Sequence, residues 1–218
     1  MRFALIIFDC DGVLVDSEPI ANRVLVDVLA ELGIPMSPEE CSRTFLGRSA
    51  PACCEIIEQR LGRELPPGFQ SEWEERMHDA FRQGVQAIQG VAEVLDQLSI
   101  PVCVASSGSH TRMQITLGTT GLLPRLQGRI FSSADVAHGK PLPDLYLHAA
   151  AVMNAPPRRC AVIEDTVVGV RAGVAAGMTV FGFTGGGHTD PRDLRDAGAL
   201  PFAHMRELPR LLHEPIPM

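Results

Sequence analysis

Residues 3–18 read FALIIFDCDGVLVDSE. The apolar run Phe3–Phe8 ends in two aspartates, Asp9 and Asp11, with Cys10 between them and Gly12 after them. A run this short and nearly unbroken in hydrophobicity predicts a strand buried on both faces of a parallel sheet. Two like charges at the tip of such a strand raise each other's pKa, so the pair asks for a chemical reason.

The same signature recurs along the chain, in IPVCVAS (100–106), RIFSS (129–133), CAVIED (160–165) and MTVFGF (178–183). Helical stretches accompany them: GVAEVLDQL before the second strand, SHTRMQITLGTTG after it, PDLYLHAAAVM before the fourth and TVVGVRAGVAAG between fourth and fifth. Strands alternating with helices predict a doubly wound α/β domain with a parallel, Rossmann-like sheet. From Pro19 to Gly84 the alternation stops and only helical periodicity remains. Ile20, Val24, Val28 and Leu32 share one face before Gly33. Ser37, Pro38 and Glu40 read as an N-cap, a first helical position and a capping box. SAPACCEIIEQRLG and a segment around Trp73 supply two more helices. The expected organisation is therefore a core of residues 1–16 and 86–218 with a helical cap, 17–85, inserted after the first strand. ELPRLL near the end predicts one last helix before a fraying, proline-containing tail.

The composition, 45% hydrophobic and 21% charged over 218 residues, fits a globular chain with a sizeable core. A formal charge of −7 argues against nucleic acid or an anionic membrane as partner. No secretory signal and no apolar span of bilayer length is visible. The cysteines Cys10, Cys41, Cys53, Cys54, Cys103 and Cys160 show no CxxC zinc spacing, and read as reduced thiols of a cytoplasmic protein. Oligomeric state is expected to be a monomer or a small homo-oligomer.

In open α/β sheets, ligands bind beyond the carboxyl ends of the strands, near the point where strand order reverses. Those ends deliver Asp9 and Asp11, then Ser106, Ser107 and Gly108, then Lys140 in HGKPLPD, then Glu164 and Asp165. Each alone is most simply a turn, a solvated loop or, for Asp165, a helix cap. Together they form a carboxylate cluster that calls for a cation, and Mg²⁺ prefers oxygen ligands. The hydroxyls and the lysine supply donors for phosphate oxygens.

DCDGVLVDSE resembles the first motif of the haloacid dehalogenase-like superfamily, and Ser106, Lys140 in GKPLPD, and IEDTVVGVRAG around Glu164–Asp165 resemble its companions. The resemblance runs through the chain in order and is nearest the branch of β-phosphoglucomutases, phosphoglycolate phosphatases and small sugar-phosphate phosphatases. It implies Asp9 as nucleophile, forming an aspartyl-phosphate, and Asp11 as general acid and base. It implies Ser106, Ser107 and Lys140 as phosphate holders. For Mg²⁺ it implies Asp9, the main-chain carbonyl of Asp11 and Asp165, with Glu164 either a ligand or a supporting group. The substrate it implies is a small phosphorylated metabolite, and the helical cap would select it through Arg48, Ser49 and Asn22, with Arg43 a weaker candidate.

Three activities follow from the resemblance: hydrolysis of a phosphomonoester, phosphoryl transfer within a sugar phosphate as in β-phosphoglucomutase, and silent binding. Mutase-like chains carry a histidine and an arginine where Ala21 and Ala50 stand here, and no motif is broken as silence would require. Hydrolysis is the expectation. The cap and SSGSHTRMQ are similar to bacterial 6-phosphogluconate phosphatases, which points first to a sugar-acid phosphate and next to phosphoglycolate. TGGGHTD (184–190) lacks the Lys-Ser/Thr of a P-loop and reads as a loop over the sheet edge. His110 and His138 read as solvated loop residues, and Met113, Met153 and Met178 as core fillers.

Overall fold

The computed structural model describes residues 2–187 and 189–215. The opening apolar run forms β1 (Leu5–Phe8), followed by the short β2 (Val15–Asp16). Four helices come next: α1 (Glu18–Glu31), α2 (Pro38–Phe45), α3 (Ala50–Leu61) and α4 (Phe69–Gly84). The chain returns through β3 (Gln86–Ala87) to α5 (Val91–Gln97) and β4 (Val102–Ser106). Beyond these lie α6 (His110–Thr119), α7 (Leu123–Leu126), β5 (Ile130–Ser132) and α8 (Asp144–Val152). The last stretch holds β6 (Cys160–Glu164), α9 (Val167–Ala175), β7 (Thr179–Phe183), α10 (Pro191–Asp196), β8 (Leu200–Phe202) and α11 (Leu208–Leu211).

The main sheet is parallel throughout, in the order β5-β4-β1-β6-β7-β8. The chain winds outward from β1 through β4 to β5, crosses back to β6 and winds outward the other way. β1 therefore lies at the reversal of strand order, where both neighbouring connections leave a crevice open. Ile6 and Phe8 face one apolar cluster, and Leu5 and Ile7 face the other. Burial on both faces is why the strand shows no polar alternation.

The first of those clusters is continuous with the interior of the four-helix insertion, where Leu25, Phe45, Ile57, Trp73, Met77 and Phe81 are buried. The insertion is entered and left through the antiparallel pair β2–β3, with Val15 opposite Ala87 and Asp16 opposite Gln86. Ser37 caps α2 by accepting the Glu40 N–H at 3.1 Å. The expected return bond from Glu40 is not made, because its carboxylate pairs with Arg60 at 3.1 Å. The two-way capping box forms instead at Ser132 and Asp135.

The short pair β2–β3, the helices α7 and α10, and β8 go beyond the elements expected from the sequence. β8 is a sixth strand, added at the edge with Phe181 opposite Leu200 and with Pro201 inside it. α11 is the last helix expected in ELPRLL, and the proline-containing tail beyond residue 215 lies outside the described residues. The loop from Thr184 is tied to the sheet edge by the Thr184 N–H donating to the Phe202 carbonyl at 2.9 Å, while His188 lies outside the described residues. Met113 and Met178 are core residues, and Met153 packs against the core.

All six cysteines are free thiols. Burial pushes Cys53 and Cys103 up to about 12, which leaves them inert at neutral pH. Among the described residues no helix is long and apolar enough to cross a membrane.

Candidate active site

Asp9 follows β1 and is anchored by its N–H donating to the Ile163 carbonyl at 2.9 Å. Two residues on, Gly12 turns the chain with φ +77°, and a Cβ there would lie 2.0 Å from Asp165 Oδ2. Only glycine satisfies both the left-handed backbone and that close approach. The turn closes when the Leu14 and Val15 N–H groups both donate to the Cys10 carbonyl.

Lys140 arrives from the loop before α8 and is almost wholly enclosed, with 2% of its side chain exposed. Its ammonium donates to Asp9 Oδ1 at 2.9 Å and to Glu164 Oε1 at 2.6 Å, and it lies 4.9 Å from the centroid of the Tyr146 ring. Burial works against the charge on Lys140, but Asp9 and Glu164 outweigh it and hold the ammonium well above its ordinary pKa. Burial pushes the Asp9 carboxyl up to about 7 even against the pull of Lys140.

Glu164 ends β6 with both oxygens taken. Oε1 accepts from Lys140 and from the Tyr146 hydroxyl at 3.0 Å. Oε2 accepts the Asp165 N–H at 3.0 Å, the Thr166 N–H at 2.9 Å and the Thr166 hydroxyl at 2.9 Å. Thr166, and not Asp165, caps α9, by accepting the Gly169 N–H at 3.1 Å. Asp165 is left with both carboxylate oxygens buried and without a hydrogen-bond partner. Burial, then Glu164 and Asp9, drive its pKa well above the usual carboxylate range. Ligand oxygens of Asp9, Glu164 and Asp165 lie within 4.8 Å of one another. An oxygen-only set containing an orphaned, buried carboxylate fits a hard divalent cation.

Asp11 is held on one oxygen. Its Oδ1 accepts from the Ser17 hydroxyl at 2.5 Å and from Arg112 Nε and Nη2 at 3.2 and 2.8 Å. At the end of β4, Ser106 is buried, and its Oγ accepts the Gly108 N–H at 3.0 Å. The same loop is pinned to the end of β5, since the Ser107 carbonyl accepts from Ser133 and the Gly108 carbonyl from Ser132, at 2.8 and 2.7 Å.

These strand ends form the floor of a cavity of about 700 Å³ whose roof is the four-helix insertion. Asp9, Asp11, Ser106, Ser107, Lys140 and Glu164 line it. So do Asn22, Arg48 and Ser49 from the insertion. The Asn22 amide donates to the Pro38 carbonyl and Arg48 Nε to the Thr44 carbonyl, both at 2.9 Å. Arg43 does not join them: Cys41, Ser42 and Phe45 line the cavity, while Arg43 turns back to the Glu39 carbonyl at 3.4 Å. His110 and His138 also stay outside, paired with Asp135 at 2.9 Å and Asp144 at 3.1 Å.

Arg112 and Glu18 line the cavity and escaped the reading of the sequence. Burial pushes the Glu18 carboxyl up to about 7. A signal was present for Glu18, whose charge falls on the apolar stripe of its helix, and was weak for Arg112. Glu18 is in register with Ala21, Leu25 and Leu29, whereas Arg112 shares a face only with Thr116, one turn on, at the edge of the buried stripe Met113–Thr116–Leu117.

A parallel α/β sheet with a buried carboxylate–lysine cluster at its reversal point, roofed by helices, defines a class of hydrolytic enzymes. The family model for haloacid dehalogenase-like hydrolases matches residues 3–177. The chain belongs to that family, and it is a phosphoric monoester hydrolase. It is 34% identical over 212 residues to the 6-phosphogluconate phosphatase of Escherichia coli, covering 96% of this chain and 95% of the relative. A haloacid dehalogenase-like protein of Agrobacterium tumefaciens superposes with a TM-score of 0.82 at 38% identity, covering 96% of this chain and 97% of the other. A hydrolase of the family from Deinococcus radiodurans, with bound phosphate and sodium, gives 0.76 at 34% identity, covering 96% and 94%.

Proposed function

We propose that the protein is a Mg²⁺-dependent phosphatase of a small phosphorylated sugar or sugar acid, with 6-phosphogluconate the first substrate to test and phosphoglycolate the next. The observation that carries this reading is Lys140 bridging Asp9 and Glu164 beside the unpartnered Asp165. In this reading an Asp9 oxygen attacks phosphorus, the bond from phosphorus to the leaving oxygen breaks, and that oxygen takes a proton from Asp11. A water then loses its proton to Asp11 and attacks the aspartyl-phosphate. The bond between phosphorus and Asp9 breaks, and inorganic phosphate and the Asp9 carboxylate are regenerated. Ser106, Ser107 and Lys140 hold phosphate oxygens. Asp9, Asp165 and the Asp11 carbonyl would hold Mg²⁺, which when bound neutralises the clustered carboxylates and the phosphate charge. Glu164, saturated by five donors, orients Lys140 and the Asp165–Thr166 turn.

Residues 17–85 act as a cap over the core formed by 1–16 and 86–218, and Arg48, Ser49 and Asn22 read the far end of the substrate. Hydrolysis is preferred over sugar-phosphate mutase chemistry because Ala21 and Ala50 line the cavity where mutase-like chains carry a cationic clamp. The six free thiols and the net charge of −7 fit a cytoplasmic enzyme acting on free metabolites, with no nucleic-acid or membrane partner.

The test is a Mg²⁺-supplemented screen of phosphorylated sugars, sugar acids, phosphoglycolate and glucose 1,6-bisphosphate. A sugar-acid or sugar monophosphate is expected to lead, and conversion of β-glucose 1-phosphate to glucose 6-phosphate overturns the hydrolase reading. Asp9→Asn is expected to abolish turnover in a folded protein, and residual turnover above about one part in a thousand removes the covalent route. Arg48→Ala is expected to raise KM about tenfold for the leading substrate and to leave p-nitrophenyl phosphate unchanged. An equal rise on both substrates means Arg48 does not read the leaving group.

A further inference from the structure

We infer that Arg112 is a positioning residue for Asp11, and that the insertion helix α4 holds Arg112 in place for that task. The inference rests on the acid–base role proposed above for Asp11. Three donors, the Ser17 hydroxyl and Arg112 Nε and Nη2, converge on Asp11 Oδ1. The other oxygen faces Gly108, as Ser106 Oγ does: a Cβ on Gly108 would be 3.4 Å from each. One oxygen is thus fixed by the protein, and the other is turned toward the loop of Ser106, proposed above as a phosphate holder. A carboxylate that must give a proton to a leaving oxygen and later take one from water gains from such a fixed orientation.

Arg112 reaches this position along a defined path. It stands in the first turn of α6, where Ser109 accepts its N–H at 3.2 Å. Its side chain passes over Gly108, whose Cβ would lie 3.3 Å from Arg112 Cδ, so any larger residue at 108 crowds it. The guanidinium then meets α4. Nη1 lies 3.7 Å from the Met77 sulfur, and the guanidinium carbon is 4.9 Å from the Phe81 ring centroid. Phe81 is fully buried and offers an aromatic face that attracts a cation. The Arg112 and Asp11 side chains are 17% and 13% exposed, so the pair is shielded from competing water. Arg112 thus joins a core helix, the acid–base carboxylate and the insertion. Seating of α4 on the core therefore sets the aim of Asp11. The planar fork of arginine suits this task better than the point charge of lysine.

The chemistry of the leaving group separates this role from others. A sugar alkoxide needs a proton as it leaves, whereas 2,4-dinitrophenolate does not. In Arg112→Ala, turnover of the leading sugar phosphate is expected to fall about 10- to 100-fold with KM within about threefold of the parent. The burst of dinitrophenolate from 2,4-dinitrophenyl phosphate, which reports attack by Asp9, is expected to keep its rate within about threefold, followed by slow turnover. Arg112→Lys is expected to recover part of the loss. A burst slowed as much as sugar-phosphate turnover means Arg112 is merely structural, and a raised KM with kcat kept means it reads substrate; either overturns the inference. Should Arg112→Ala fail to fold, Phe81→Leu removes the aromatic seat and must show the same split in milder form; equal loss on both substrates, or none, overturns it. Asp11→Asn is the control. If it shows no leaving-group split, the acid–base reading fails; if it splits and Arg112→Ala does not, only the role of Arg112 fails.

Discussion

Glu18 starts α1 beside Asp11 and the guanidinium of Arg112, with burial lifting its carboxyl from 4.5 to about 7. Above pH 4.5 the unfolded chain ionises this group freely while the folded chain resists. Its favourable contribution is therefore complete below pH 4.5, declines as pH rises, and is lost above about 7. At full effect the shift corresponds to about 3 kcal/mol, and because Glu18 keeps some contact with water about 1–2 kcal/mol is expected to be measured. Glu18→Gln should accordingly match the parent in stability at pH 4 and exceed it by that amount at pH 8. Urea unfolding across that range checks the prediction, and a gap that does not change with pH refutes it. The same residue illustrates what a sequence conceals. A glutamate in DSEP at a helix start is read most simply as a charge favouring the N-terminus, and only its register with Ala21, Leu25 and Leu29 betrays that it faces inward.

Among the elements, legibility followed the source of each one's stability. β1, β4, β6 and β7 are buried on both faces, so their apolar runs stand out against the flanking polar residues. β8 has three residues, a proline and a single sheet neighbour, and β2–β3 have two residues each; none is long enough to carry a pattern. The strand ends Asp9, Ser106 and Glu164, and Lys140 on the loop after β5, were legible because topology collects them, whereas Arg112 reaches the site by a long side chain from a helix. The junction of β6 and α9 shows how closely site and element are joined. Asp165 was open to reading as the helix cap, yet Thr166 caps α9 with Oγ1 while its hydroxyl proton goes to Glu164. Thr166→Val, which keeps shape and loses both bonds, is expected to cost about 1–2 kcal/mol. Thr166→Ser keeps both bonds and should cost less than half as much. An equal loss in the two variants would assign the effect to the Thr166 methyl, which faces Gly47 across the cavity wall.

At the scale of the whole molecule, the fold concentrates unfavourable charge at one point and covers it. Asp9, Glu164 and Asp165 meet where the strand order reverses, a single buried lysine answers the first two, and both oxygens of the third go without partners. An isolated buried carboxylate costs several kcal/mol unless it is neutralised or paired. Without metal, then, Asp165 opposes folding, and a cation that binds only the folded chain reverses its sign. At a Mg²⁺ concentration a hundredfold above Kd the added stability is about 2.7 kcal/mol, or roughly 5–10 °C in Tm for a chain of this length. Asp165→Asn removes the charge while keeping the volume. Its Tm in excess chelator is expected to equal or exceed that of the parent, and Mg²⁺ is expected to leave it unchanged. The two melting curves should therefore cross as Mg²⁺ is added, with the variant ahead at first and the parent ahead at saturation. A thermal-shift titration of both proteins reads this without reference to activity. A variant less stable than the parent in chelator, or as responsive to Mg²⁺, would move the cation away from Asp165 and leave the orphaned carboxylate without its reason.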